Sequence, residues 1–213
     1  MIRAFELLML SLMTALVLGR ATPSVPAPAA TRFPSPSANQ LALYGKVYTP
    51  PRVAFDFVLP ASSGQTVRLA DYQGRVVLLF FGYTACPDVC PTTLADIKQA
   101  LAEVGEAAQG VNVFLITVDP ARDSLAHLQE YLGYFHEPGY LGLRGSEAET
   151  SQIATHYGVK FYREADATLT GGYSVAHSTQ LILINRQGEW AMTMPYGTTV
   201  AHIAANVRYW LAQ

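Results

Sequence analysis

Two largely apolar runs, residues 76–83 and 111–118, constrain the fold more than any other feature of this 213-residue sequence. Such a run has no polar face. As a strand it must be covered on both sides, as a central strand is when helices pack on both faces of its sheet. Helical periodicity follows each run. Leu94, Ile97, Leu101 and Val104 recur at i, i+3, i+7 and i+10, and Leu125, Leu128, Leu132 and Phe135 mark a second helix. Ser146 with Glu149 has the spacing of a capping box for a third helix ending near Gly158. Strands at 181–184 and 190–194 flank a turn at Arg186-Gln187-Gly188, and Thr198 or Thr199 caps a last helix. Upstream, residues 55–59 and 66–69 read as a short hairpin across Ser62-Ser63-Gly64.

Strands alternating with helices imply an α/β domain, a central mixed β-sheet flanked by helices. A cysteine pair where the first central strand turns into a helix, followed by a strand, strand and helix, looks like a thioredoxin-like fold. Half the residues are hydrophobic and 14% are charged, enough apolar surface for one packed domain. The formal net charge is -2 and no basic stretch stands out, so nothing points to nucleic acid.

The first residues read differently. Arg3 precedes an apolar run over residues 7–18, short of the roughly 20 residues that span a bilayer. Residues 1–21 are expected to be a secretory signal peptide or an N-terminal membrane anchor, with small-residue cleavage patterns at Gly19-Arg20-Ala21 and Ala27-Pro28-Ala29. Either way the rest of the chain is exported and extracytoplasmic. A Pro/Ala/Ser-rich linker is expected over 22–47 and the folded domain over 48–213.

The chemistry concentrates at Cys86 and Cys90, the two cysteines of the chain. Cys86 falls near a helix N-terminus, where free amides and the helix dipole favour a thiolate. Four residues make about one helical turn, which puts the two Cα atoms roughly 6 Å apart. That spacing permits a disulfide and equally permits two thiolates on one metal ion. Soft thiolates select copper(I), zinc or an iron–sulfur cluster. A cluster wants four cysteines and structural zinc four protein ligands. Two sulfurs and one nitrogen suit copper, with open-site zinc as the other option.

Five histidines are present. His127, His136, His156 and His202 fall on helices or at a helix end and read as surface or capping residues. His177 lies in an expected loop, 171–179, just before a buried strand of the second half, and is the candidate third ligand. Met192 and Met194 read as packing residues. Asp119 and Asp123 flank Pro120 after the second central strand, at the end of the sheet where α/β folds place sites. Asp123 reads as a helix cap ahead of Ser124.

The segment Phe81-Gly82-Tyr83-Thr84-Ala85-Cys86-Pro87-Asp88-Val89-Cys90-Pro91 resembles the signature of the SCO/SenC family. The resemblance extends from about Phe55 to the C-terminus through Val118-Asp119-Pro120-Ala121-Arg122-Asp123, residues 142–146, Val175-Ala176-His177-Ser178 and Tyr196-Gly197. Members are tethered or exported copper proteins that help assemble the copper centre of cytochrome c oxidase. The resemblance implies copper held by Cys86, Cys90 and His177. It implies as partner the oxidase's copper-bearing subunit or another copper protein; because the cysteines must be reduced before copper can bind, a thiol reductase is a further candidate partner, which the sequence alone does not require. One position departs: the family carries aspartate before the histidine, and this chain has Ala176.

The competing reading is an extracytoplasmic thiol-disulfide oxidoreductase acting through Cys86 and Cys90. The three-residue gap and the downstream histidine favour metal, because disulfide enzymes of this fold usually have a two-residue gap. A peroxidase is disfavoured, since Tyr83 stands where the peroxiredoxin signature has threonine.

Overall fold

In the computed structural model the described residues are 43–137, 139–165, 168 and 172–213. The expected signal or anchor and residues 22–42 of the expected linker lie outside them. Val76–Gly82 (here β4) and Val111–Thr117 (β5) form the centre of the sheet, and every residue of both is buried. They pair in parallel, Val76 against Val111 through Gly82 against Thr117, so their C-terminal ends finish side by side. The right partner for such fully apolar strands is a covered interior on each face, and helices supply it.

The remaining strands are Lys46–Val53 (β1), Val58–Pro60 (β2), Thr66–Arg68 (β3), Tyr140–Leu143 (β6), Phe161–Ala165 (β7), Tyr173–His177 (β8), Leu181–Ile184 (β9) and Glu189–Met194 (β10). The main sheet runs β1-β10-β9-β4-β5-β6. Pairs β4/β5 and β5/β6 are parallel, while β4/β9, β9/β10 and β10/β1 are antiparallel. β2/β3 and β7/β8 are separate two-stranded ribbons. The helices are Val89–Val104 (α1), Leu125–Gly133 (α2), Glu147–His156 (α3) and Val200–Leu211 (α4). α1 and α4 pack together, and α2 packs on β6. Strand β4, helix α1 and strand β5, then β9, β10 and α4, make the two halves of a thioredoxin-like fold.

Several local expectations hold in detail. Ser146 and Glu149 form the capping box of α3, Thr199 caps α4, and the β2/β3 hairpin turns over residues 61–65. Met192 and Met194 are wholly buried, and Met192 Sδ accepts from Trp210 Nε1 at 3.3 Å.

Other expectations need correction. The folded part starts before residue 48. β1 begins at Lys46, and Tyr44 stacks on His202 with ring centres 4.5 Å apart and bonds through its backbone to Asn206. β1 escapes a sequence reading because Pro50 and Pro51 interrupt it, which only an edge strand tolerates. Its register against β10 shifts between Val47 and Arg52. His177 is not in a loop but is the last residue of β8.

Candidate metal centre

β4 ends at Gly82, and the chain turns through residues 83–88 into α1. The turn is close-packed. A Cβ on Gly82 would sit 2.9 Å from Cys90 Sγ and 2.8 Å from the Phe80 ring, so only glycine lets Cys90 approach the strand. Cys90 is fully buried in the first turn of α1, and Cys86 is half-buried ahead of it. Both are free thiols. Asp88 is the N-cap residue of α1 but makes no side-chain cap bond. Cys86 Sγ takes that place, accepting from Cys90 N at 3.4 Å.

This arrangement splits the two thiols. The Cys90 side chain donates toward the Cys86 sulfur, and with His177 and the amides of Cys90 and Asp88 it draws the Cys86 thiol down to about 4, against the burial that opposes ionisation. The same contact with Cys86, reinforced by burial, pushes Cys90 far up. The contact thus biases the reduced pair toward a thiolate at Cys86 and a thiol at Cys90.

His177 reaches the pair from β8. Its Nε2 lies 3.7 Å from Cys90 Sγ. Its Nδ1 lies 3.0 Å from the Ser178 carbonyl, which can only accept, so Nδ1 carries a proton and Nε2 is the nitrogen turned to the sulfurs. The Tyr83 and Phe80 rings stand edge-on to the imidazole, 5.8 and 6.3 Å between centres. Ligand atoms of Cys86, Cys90 and His177 all lie within 4.8 Å of one another, the one such group of three among the described residues. Three donors around one ion, with metal–sulfur near 2.3 Å and metal–nitrogen near 2.0 Å, would stand roughly 4 Å apart. A small contraction of the trio thus meets the need of a soft ion, and two sulfurs with a neutral imidazole are the donors a soft ion prefers.

The four other histidines stay apart from this group. His127 Nδ1 bonds the Arg122 carbonyl, and His156 Nε2 bonds the Val53 carbonyl. His202 bonds Thr199 beneath Tyr44. His136 follows α2 with φ 53°.

Asp123 does not cap α2. Ser124 does, accepting from His127 N. Asp123 is fully buried and accepts from Thr84 N at 3.0 Å, from Thr84 Oγ1 and from Thr117 Oγ1, tying the cysteine turn to the end of β5. Asp119 is equally buried. It pairs with Arg122 and accepts from Tyr173 OH at 2.9 Å. Thr84, Thr117, Arg122, Tyr83 and Tyr173 were not singled out by residue chemistry. Thr84 and Tyr83 are adjacent to the cysteine signature and Arg122 lies between the two aspartates, so those carry a local signal. Tyr173 carries none.

A thioredoxin-like domain with a Cys-x3-Cys pair at the head of its first helix, and a histidine facing it from a separate ribbon, defines a class of thiol-and-imidazole metal-site proteins. The SCO1/SenC family model matches residues 46–212, and the chain belongs to that family. It is 34% identical over 160 residues to the mitochondrial SCO2 homologue of Bos taurus, a match covering 74% of this chain and 59% of that protein. The chain thus spans under two thirds of that relative's length. Among solved structures, it resembles Bradyrhizobium japonicum ScoI with copper bound at 34% identity and a TM-score of 0.67, covering 75% of this chain and 99% of that one. Apo Sco1 of Thermus thermophilus matches at 33% identity and a TM-score of 0.69, covering 79% and 96%.

Proposed function

We propose that this protein is a copper chaperone: Cys86, Cys90 and His177 hold one copper ion as cargo, destined for the copper centre of cytochrome c oxidase. The observation that carries the reading is the trio of soft donors within 4.8 Å of one another. The copper-bound Bradyrhizobium japonicum structure supports the metal, and family membership supports the role in oxidase assembly. The acceptor is the oxidase's copper-bearing subunit or another copper protein. Residues 1–21 export or anchor the chain, so the domain works outside the cytoplasm. No helix among the described residues is long and apolar enough to cross a membrane.

The chain's own residues prepare the site. Cys86 is biased toward the thiolate that an incoming cation needs, and His177 turns Nε2 toward the sulfurs. Cys90 gives up its proton on loading, because a thiol must deprotonate to ligate. The bound ion would supply a soft acid that can pass between thiolate sets by ligand exchange.

A second reading, thiol-disulfide exchange with a partner, is favoured by the split pair. A half-buried thiolate at Cys86 with a buried thiol behind it is the arrangement of an attacking and a resolving sulfur. Metal analysis of the reduced full-length chain separates the two. About one copper per chain is expected for wild type, with tight binding lost in Cys86→Ser and in Cys90→Ser. Equal copper in wild type and the double variant, alongside turnover of a disulfide substrate by wild type, would replace the chaperone reading with the exchange one.

A further inference from the structure

His177 sits on a ribbon, β7/β8, that pairs with no strand of the main sheet. Its position therefore depends on ties between the ribbon and the body, and those ties lie on residues the copper reading does not use. Side chains alternate along a strand, so Tyr173, Val175 and His177 share one face of β8 and Ser174 and Ala176 the other. Val175 on the first face is buried against the body. At the start of β8, Tyr173 OH donates to Asp119 Oδ1 at 2.9 Å, and Arg122 Nη1 donates to the Tyr173 carbonyl at 3.0 Å. The Arg122 guanidinium lies 3.8 Å from the centre of the Tyr173 ring and is ion-paired with Asp119. Two residues on, Val175 N donates to Tyr83 OH at 3.3 Å, and the Tyr83 ring contacts His177 itself. A fully buried carboxylate holds its charge only when paired and hydrogen-bonded. Asp119 meets that need with Arg122 and Tyr173, so relaxing the latch is costly.

We infer that Asp119, Arg122, Tyr173 and Tyr83 are positioning residues for the imidazole arm of the site, a latch that sets β8 so that His177 Nε2 faces the cysteine sulfurs. Asp123 does the corresponding work for the thiol arm through Thr84 and Thr117, so two carboxylates four positions apart on one loop align the two halves of the centre. Position 176 falls on the face of β8 away from His177, and the latch is complete with alanine there. The metal-bound half of this inference rests on the copper reading above. The metal-free half rests on the ties alone.

The test uses Tyr173→Phe in the full-length chain, which removes one hydroxyl and keeps the ring under Arg122, with Asp119→Asn as a second variant. In metal-free protein, amide hydrogen exchange over residues 173–177 should speed up roughly fivefold or more, the equivalent of one lost hydrogen bond, with residues 111–117 unchanged. Copper should be held about tenfold less tightly, and the nitrogen coupling in the electron paramagnetic resonance spectrum of the copper(II)-loaded chain should weaken. Adding Tyr173→Phe to His177→Ala should cost nothing more. Wild-type exchange and nitrogen coupling in both variants, or a full additive loss on top of His177→Ala, would overturn the latch. Faster exchange in a chain whose wild type takes up no copper would instead uphold the latch and remove the copper reading.

Discussion

At the residue level, the two cysteines are chemically distinct although they are four positions apart. Cys86 is held down to about 4 and Cys90 is pushed up, both first through the hydrogen bond they share. Two outcomes follow for reduced, metal-free protein. Iodoacetamide should label Cys86 ahead of Cys90, at a rate that stays nearly level from pH 8 downward and falls only toward pH 4, as read by peptide mass spectrometry. Cys90 reacting first would contradict the split. Stability should also track pH. Between about 4 and the ordinary thiol range near 8.5, the unfolded chain binds the Cys86 proton and the folded chain does not, so stability rises with pH across that window. The contribution is complete near 8.5 and gone below about 4. Cys86→Ser should remove that slope in urea titrations at several pH values. The cysteine pair was legible in the sequence because its spacing is local. The role of Asp123 was not, because three of its hydrogen bonds come from Thr84 and Thr117, and Thr84 lies 39 positions away.

Among the elements, the turn between β4 and α1 concentrates the constraints. Gly82→Ala would place a methyl group 2.9 Å from Cys90 Sγ and 3.1 Å from Leu115, contacts that force a core strand or the cysteine to move. Overpacking of this kind costs about 1–3 kcal/mol. Thermal denaturation should show the loss, and the copper content of the folded variant should fall with it. Asp123→Ala should cost on the order of 3 kcal/mol, since it strands the Thr84 amide and the Thr84 and Thr117 hydroxyls, the last of them buried, while Asp123→Asn should keep part of the stability by retaining an acceptor. A melting temperature unchanged in Asp123→Ala would show that the turn is fixed by other contacts. β4, β5 and the four helices were legible because continuous apolar runs and 3.6-residue periodicity are local signals. β7 and β8 were not. β7 is mostly exposed and follows no apolar alternation, and β8 is stabilised by a partner strand and by Asp119, neither of which is near it in sequence.

For the molecule as a whole, the sheet is closed at one side by β1, the element least visible in the sequence. Arg52 lies over the Tyr48 and Trp190 rings, 4.1 and 5.2 Å from their centres, so β1 covers the indole of β10 as well as pairing with it. A chain beginning at Ala54 should therefore lose at least about 3 kcal/mol, from the uncovered aromatic surface and the broken ladder, relative to one beginning at residue 43. Equal urea midpoints for the two would show that β1 is an ornament of the edge rather than part of the core. The direction of β1 has its own consequence. β4 runs toward the cysteine turn, β9 starts beside its end with Leu181 opposite Phe80, β10 finishes there with Met194 opposite Leu181, and β1 starts there with Lys46 opposite Thr193. The polypeptide thus enters the domain at the same rim of the sheet that carries Cys86, Cys90 and His177. An attachment made through the residues before 43 would therefore join the domain at the rim that carries the site, and would restrict the approach of any protein that had to reach it.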